Sequence, residues 1–208
     1  MAIVQPVAKE SLGPEGKIVH VWLRKTFGKV ESFVMTFAHA PRMFWWAGVS
    51  HLMEVKGLSI GKRTSDLMSF VVAKENACPY CVPGAELMLR LRGFSEREVA
   101  TLRDRVECPG ADKKTALLLR MAHRSARDSH RFGEADRRAL LDAGLSAAQL
   151  VEAAYLCGSN GFGNRYCTGF QFMPETPIRM GLHPVFGWIV RPFFRVMLRE
   201  MFREPKPA

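Results

Sequence analysis

The chain has 208 residues, of which 48% are hydrophobic and 24% charged, and a formal net charge of +10. This length and balance suit one globular domain with extensions at its ends. The basic residues are spread along the chain without a known nucleic-acid-binding motif, so we expect no nucleic acid as partner. No continuous apolar segment opens the chain and no run of about 18 apolar residues occurs, so neither a secretory signal nor a transmembrane helix is predicted.

The cysteines indicate the compartment. There are five, at positions 78, 81, 108, 157 and 167. An odd number without a secretory signal argues against a framework of structural disulfides and for a reducing compartment, so we expect a cytoplasmic location. In such a compartment a close cysteine pair is more often redox-active or metal-binding than structural.

The N-terminal half shows helical periodicity of its apolar residues. Residues 1–29 are predicted to form a loose arm and a helix, whose apolar face would carry Ile18, Val21 and Trp22. Four more helices are expected before Gly93, a residue that suits a helix terminus. Their predicted ranges are 30–39, 41–55, 65–77 and 79–92.

Capping boxes mark two helix starts in the second half of the chain, Ser95 with Glu98 and Ser146 with Gln149. In each, a serine side chain and a Glu or Gln three residues later cap the helix N-terminus together. Helices are expected over 96–105, 111–127, 134–144 and 147–159. No hairpin turn joins alternating segments, so the predicted fold class is all-α.

The segment 184–203 repeats apolar and basic residues every four positions. The apolar set is Val185, Ile189, Phe193, Met197 and Met201, and the basic set is Arg191, Arg195 and Arg199. The pattern predicts a basic amphipathic helix with a kink or break at Pro192. Two roles stay open. We favour an arm packed across a neighbouring subunit or over the subunit's own core, and the alternative is contact with a membrane surface.

Cys78 and Cys81 form a Cys-Pro-Tyr-Cys sequence at a predicted helix start. Pro79 suits the first helical position. The first thiol would then lie at the helix N-terminus, where unpaired N–H groups favour the thiolate, and the second would lie one turn later. This arrangement suits a nucleophilic thiol with a resolving partner.

The spacing of the pair is also compatible with a zinc site or with two inert core residues. A zinc site would need further ligands from Cys157, Cys167 or a histidine, and the chain offers no familiar spacing for them. Inert cysteines are common in protein cores, but a pair at this spacing next to a helix start favours chemistry. We therefore predict thiol–disulfide chemistry and no metal site.

The run from Thr36 to about Phe170 resembles the alkylhydroperoxidase AhpD / carboxymuconolactone decarboxylase-like family. The resembling pieces are FAHAPRMFWW, DLMSFVVAKENACPYCVPGAELMLRLRGFSEREVATL, KKTALLLRMAHRSAR and EADRRALLDAGLSAAQLVEAAYLCGSNGFGNRYC. The resemblance implies an AhpD-like helical domain over 30–175, with an N-terminal arm over 1–29 and a C-terminal amphipathic extension over 176–208. It also implies a homo-oligomer without an organic or metal cofactor.

The AhpD branch carries a CxxC pair that reduces peroxides and is recycled by a partner reductase. By this resemblance, Cys81 matches the peroxide-attacking cysteine and Cys78 the resolving one. Asp66 stands where the family has a proton-relay glutamate, and Tyr80 fits the residue before the second cysteine. Ala85 stands where the family has its relay histidine, so the chain departs from the pattern there.

A substitute base could come from the preceding helix, as His51 or Glu54. Asn164 and Arg165 match the family's late Asn-Arg, for which packing or subunit contact is the simplest interpretation. We expect a thiol-dependent peroxidase or disulfide reductase that acts on a small-molecule hydroperoxide. The alternatives are a redox-sensing or interaction protein without efficient turnover, suggested by Ala85, and a cofactor-free decarboxylase-like lyase.

Overall fold

The computed structural model describes residues 4–27, 30–198 and 202, without the side chains of residues 26, 27, 51, 52, 55, 56 and 131. Within this part the regular elements are helices and no strand occurs, which confirms the all-α prediction. The α-helices are α1 (Pro14–Phe27), α2 (Ser32–Thr36), α3 (Pro41–Lys56), α4 (Lys62–Glu75), α5 (Cys81–Leu91), α6 (Glu96–Arg105), α7 (Lys113–Arg127), α8 (Glu134–Asp142), α9 (Ala147–Gly169), α10 (Thr176–Leu182) and α11 (Gly187–Met197).

Helix α4 is the centre of the domain. It packs against α5, α7 and α9, and consecutive residues along it are buried whichever way they point: Leu67, Met68, Phe70, Val71, Val72 and Ala73. A helix that is covered on all sides shows no single apolar stripe. Its surroundings fix the position of its C-terminal end, and this end leads into the cysteine pair.

Helix α1 joins the N-terminal segment to the domain by packing on α3. Its buried residues are Val19 and Leu23, four positions apart, whereas Ile18 and Val21 are mostly exposed. The predicted apolar face of this helix is therefore wrong. Close approach is possible because Gly48 of α3 has no side chain: a Cβ there would lie 2.8 Å from Cγ1 of Val19.

Both predicted capping boxes are present, at Ser95 and at Ser146. The second one opens α9, which runs on to Gly169 instead of ending at Ser159. The glycines of this segment, Gly158, Gly161 and Gly163, lower helix propensity. Burial of its later turns, including Cys167, outweighs that cost.

Helices α10 and α11 form a C-terminal extension that packs on α5. Arg195 anchors it: its Nε donates to the carbonyl of Leu91 at 2.5 Å and its Nη2 to that of Arg90 at 3.3 Å. These carbonyls belong to the last turn of α5, where helical acceptors lack partners within their own helix. Arg191 donates similarly to the carbonyl of Gly181, at 3.0 Å.

The predicted amphipathic helix is present as α11. Its predicted apolar stripe, however, does not face the subunit's own core. The apolar stripe is exposed at each of its described positions, Val185, Ile189, Phe193 and Met197. Phe194 is buried in its place, and the helix runs through Pro192 without a break. Met201 and Arg199 of the predicted segment lie outside the described residues.

Gly48 allows a test of the contact between α1 and α3. In Gly48→Ala the new methyl group would meet Val19, a β-branched side chain with little rotamer freedom in a helix. We expect the substitution to lower the free energy of unfolding by about 1–3 kcal/mol, measured by urea denaturation.

Gly158→Ala is the matched control, because Gly158 also lies inside a helix but has no atom within 4 Å of the added Cβ. Its higher helix propensity should raise the free energy of unfolding by roughly 0.5–1 kcal/mol. An unchanged or raised stability of Gly48→Ala would contradict the close approach of the two helices.

Candidate functional site

A Schellman motif at the end of α4 positions the cysteine pair. The N–H of Ala77 donates to the carbonyl of Lys74 at 3.0 Å, and the N–H of Cys78 donates to that of Ala73 at 3.2 Å. Ala77 has the left-handed conformation that this motif requires, with φ of 49°. The chain reverses here, so Cys78 lies against the end of the central helix.

Pro79 and Tyr80 form a turn, and α5 begins at Cys81. The predicted helix start at Pro79 is therefore wrong by two residues. The reason is the Schellman turn, which ends one helix immediately before the next can begin. Cys81, and not Cys78, occupies the first helical position, where unpaired backbone N–H groups favour a thiolate.

Cys78 and Cys81 are joined by a disulfide, with their Cα atoms 5.2 Å apart. Cys78 is completely buried, whereas Cys81 is partly exposed. The backbone N–H of Cys81 donates to Sγ of Cys78 at 3.1 Å. An incoming thiolate would reach Cys81 first, and the sulfur released from Cys78 would keep this hydrogen bond.

Cys81 lines a cavity of about 340 Å³. The cavity has the size of sites that hold small organic molecules, and aromatic side chains form much of its wall. These are Phe33, Phe37, Trp46, Tyr80, Phe162 and Phe194. The polar side chains that reach it include Glu54, Lys62, Asp66, Ser159 and Asn164.

The cavity brings together four of the predicted site residues: Cys81, Tyr80, Asp66 and Glu54. Asp66 Oδ2 accepts a hydrogen bond from Nε of Arg92, with which it forms an ion pair. Oε1 of Glu54 accepts a hydrogen bond from Ser159 at 2.9 Å.

Of the predicted site residues whose side chains the structure describes, Cys78 does not line this cavity. Cys78 lies behind Cys81, within an apolar cluster. His51 belongs to α3, and its side chain lies outside the described part of the chain. Ala85 does line the cavity, so the position of the family's relay histidine carries no proton-transfer group.

The hydroxyl of Tyr80 is buried without a hydrogen-bond partner among the described residues. Its ring, only 6% exposed, packs edge-on against Phe33 and Phe172. Burial raises the pKa of Tyr80 far above its ordinary value, and the negative charges of Glu31 and Glu175 raise it further. The hydroxyl therefore remains protonated.

Two buried polar residues at this cavity, Lys62 and Asn164, were not predicted as site residues. Lys62, the first residue of α4, is buried there although lysine is seldom buried. Asn164 is also buried, and its Oδ1 accepts a hydrogen bond from Asn76 at 3.1 Å, which ties α9 to the turn before the cysteine pair. No local pattern marks Lys62, and the Asn-Arg resemblance at Asn164 indicated packing or subunit contact, because separate helices bring the two residues together.

The other cysteines differ from the pair. Burial raises the pKa of Cys157 and that of Cys167 to about 12. Burial also raises the pKa of Cys108, with a further increase from Glu98. Among the described residues, no three or more His, Cys, Asp or Glu side chains are grouped so as to hold a metal ion. Nor does that part of the chain contain a helix long and apolar enough to cross a bilayer.

No protein-family model and no curated protein matches the chain, but solved structures do. An uncharacterized peroxidase-related protein from Silicibacter sp. TM1040 is 18% identical with a TM-score of 0.72, over 85% of this chain and 94% of that one. An uncharacterized peroxidase-related protein from Ralstonia eutropha JMP134, described as an alkylhydroperoxidase AhpD core, is 20% identical with a TM-score of 0.71, over 88% of this chain and all of that one.

The debrominase Bmp8 is similar to this chain as well. It is 14% identical with a TM-score of 0.70, over 96% of this chain and 97% of that one. A cysteine-to-alanine variant of the debrominase has been crystallised with 2,3,4-tribromopyrrole. At such identities the likeness concerns the fold, and the chain has the AhpD-like fold that its sequence predicted. The boundaries predicted for the three segments, 1–29, 30–175 and 176–208, stay predictions.

Proposed function

We propose that the chain is an AhpD-like thiol-dependent peroxidase or disulfide reductase that works through Cys78 and Cys81. One observation carries the proposal: a CxxC disulfide whose first sulfur is buried and hydrogen-bonded while its second cysteine lines a cavity. The peroxidase-related proteins of the same fold support it.

The reaction begins with the reduced pair. The Cys81 thiolate attacks the terminal oxygen of a hydroperoxide, the O–O bond breaks, and the alkoxide leaves as an alcohol after taking up a proton. Cys81 becomes a sulfenic acid. The Cys78 thiolate then attacks the Cys81 sulfur, the S–O bond breaks, and the disulfide forms as water leaves after a second protonation. A dithiol or a partner reductase supplies two electrons to restore both thiols.

Two groups at the cavity suit the proton transfers. Tyr80, whose side chain lines the cavity and whose hydroxyl stays protonated, would donate a hydrogen bond to the departing oxygen once its covered hydroxyl turns towards the cavity. Since Ala85 offers no base, we assign the removal of the Cys81 proton to a carboxylate. We assign it to Glu54, which lines the cavity with Cys81, and take Asp66, which forms an ion pair with the guanidinium of Arg92, as the comparison.

A second candidate function is reductive dehalogenation of an aromatic ring. The aromatic wall of the cavity and the fold shared with a debrominase favour it. In that reaction the two thiols supply two electrons, the carbon–halogen bond becomes a carbon–hydrogen bond, and halide leaves as the disulfide forms. Release of bromide from a bromopyrrole in the presence of a dithiol would distinguish this activity from peroxide reduction.

The remaining expectations stay predictions. These are the homo-oligomer, the partner reductase, the absence of a nucleic-acid partner, the absence of a cofactor and the cytoplasmic location. The redox-sensing alternative also stays open, because Ala85 stands where the family has its relay histidine. It differs from the main proposal in one measurable respect, since its disulfide would form without appreciable peroxide turnover. No observation favours the lyase.

Alkylation with iodoacetamide tests the predicted order of reactivity of the cysteine thiols. At pH 8 the oxidised protein should react slowly and at Cys108 alone, and prior reduction with dithiothreitol should make Cys81 the fastest site. Cys157 and Cys167 should stay unmodified, because a pKa of about 12 leaves them almost wholly as thiols until the pH approaches that value. Peptide mass spectrometry measures each site, and equal rates at Cys81 and Cys167 would contradict the assignment.

Steady-state turnover of cumene hydroperoxide with a dithiol tests the roles proposed for Cys81 as the attacking cysteine and Cys78 as the resolving cysteine. Cys81→Ser should reduce the rate to the uncatalysed background. Cys78→Ser should stop turnover but leave a Cys81 sulfenic acid that dimedone traps. Cys108→Ser is the control and should retain the parent rate, because Cys108 lies outside the cavity lining. Parent-like turnover in Cys81→Ser would exclude the proposed function.

The assignment of Glu54 as the base that removes the Cys81 proton can be tested separately. Glu54→Gln should lower the rate of sulfenic acid formation about 100-fold, as expected for loss of a general base. The loss should shrink as the pH rises, since hydroxide then removes the thiol proton. Asp66→Asn is the comparison and should slow the reaction less. The reverse order, measured by stopped flow from pH 6 to pH 9, would move the role to Asp66.

A further inference from the structure

The outer face of α11 and of the turn before it is apolar and open to solvent. Its side chains are between 54% and 73% exposed: Val185, Phe186, Trp188, Ile189, Phe193 and Val196. Amphipathic helices usually turn this kind of face towards protein. Here the helix directs it away from α5 and α10, the helices against which α11 packs.

The opposite face holds α11 in this orientation. Phe194 is buried against the domain, and both Phe194 and Leu198 line the cavity. Arg195 caps the end of α5, and Arg191 bonds to the carbonyl of Gly181. Rolling the apolar stripe inward would break these contacts, so the exposed face is a fixed feature of the extension.

The extension is also strongly basic. Residues 176–198 contain Arg179, Arg191 and Arg195 and no aspartate or glutamate. Arg191 and Arg195 form hydrogen bonds with backbone carbonyls, which are uncharged, so these bonds leave the positive charges uncompensated. The whole chain carries a formal net charge of +10.

We propose that α11 is a docking face for the surface of an anionic lipid bilayer. Exposed Trp and Phe side chains next to basic residues are the composition of helices that lie in the membrane interface. Trp188 and Phe193 would enter the boundary between headgroups and acyl chains, while Arg179 and Arg195, whose side chains remain exposed, interact with anionic headgroups. The inner face of the same helix would remain as the cavity wall, close to the membrane.

A second copy of the chain fits this face less well. A two-fold contact brings a surface against itself, so the arginines of one extension would meet those of the other. Such like-charge contacts are unfavourable, and in the extension over 176–208 only Glu200 and Glu204 are acidic, against five arginines and one lysine. An anionic bilayer turns the same charges into an attraction. The observations therefore favour lipid over a symmetric dimer.

Vesicle flotation of the full chain tests the proposal. We expect binding to vesicles of equimolar phosphatidylcholine and phosphatidylglycerol, and much weaker binding to phosphatidylcholine alone. Added salt should weaken the binding to anionic vesicles. Trp188→Glu should lower the affinity for anionic vesicles by about tenfold or more, because binding depends on buried apolar area.

Val151→Glu is the matched control. Val151, on α9, is as exposed as Trp188, at 69%, and its replacement changes the charge by the same amount. This variant should bind vesicles like the parent chain. Circular dichroism melting curves test whether both variants are folded. If Trp188→Glu does not fold, Phe193→Glu serves as the disruptive substitution in its place.

Three results would overturn the proposal. They are no binding of the parent chain to anionic vesicles, equal binding by Trp188→Glu and the parent, and a dimer that Trp188→Glu dissociates without any vesicle binding. The last result, seen by analytical ultracentrifugation, would assign the face to a second copy. None of these measurements depends on the cysteines, so the outcome is independent of the proposed redox function.

Discussion

The hydrogen bond from the backbone N–H of Cys81 to the sulfur of Cys78 distinguishes the environments of the two cysteines. It exists because two constraints meet in three residues: α4 must end in a Schellman turn, and α5 must begin at once. Because α4 is packed on all sides, the position of the Schellman turn at its end is fixed. The buried sulfur thus receives a donor, and the other cysteine is left at the cavity.

The cavity depends on helices that are distant in sequence. Glu54 comes from α3, Asp66 from α4 and Ser159 from α9, and the C-terminal extension adds an apolar wall. This arrangement places two carboxylates, those of Glu54 and Asp66, at the cavity that Cys81 lines, although Ala85 stands at the expected relay position. It also joins the two proposals physically, because Phe194 faces the cavity from the helix whose outer side we assign to lipid.

Local patterns predicted much of this structure. Capping residues such as Ser95 and Ser146 located helix starts, because the cap and the helix it begins are neighbours in sequence. Periodicity failed where tertiary contacts decide which face is buried. Ile18 is exposed for this reason, and the apolar stripe of α11 faces outward because arginine side chains bind the carbonyls of α5 instead.

The site was predictable only in part. The CxxC motif and its resemblance pointed to Cys81, Tyr80 and Asp66, and all three line one cavity. The start of α5 at Cys81 depends on the turn geometry of Ala77, for which glycine would have been the usual signal. The buried position of Lys62 depends on packing between helices, which no local pattern encodes.

Oxidation of the fully reduced protein by one equivalent of an organic hydroperoxide is the most direct test of the central claim. Peptide mass spectrometry, after the remaining thiols are blocked, identifies the oxidised sites. The account predicts one intramolecular disulfide, between Cys78 and Cys81, with the other three cysteines still reduced. Unreacted thiols at both positions, or oxidation mainly at Cys108, would contradict it.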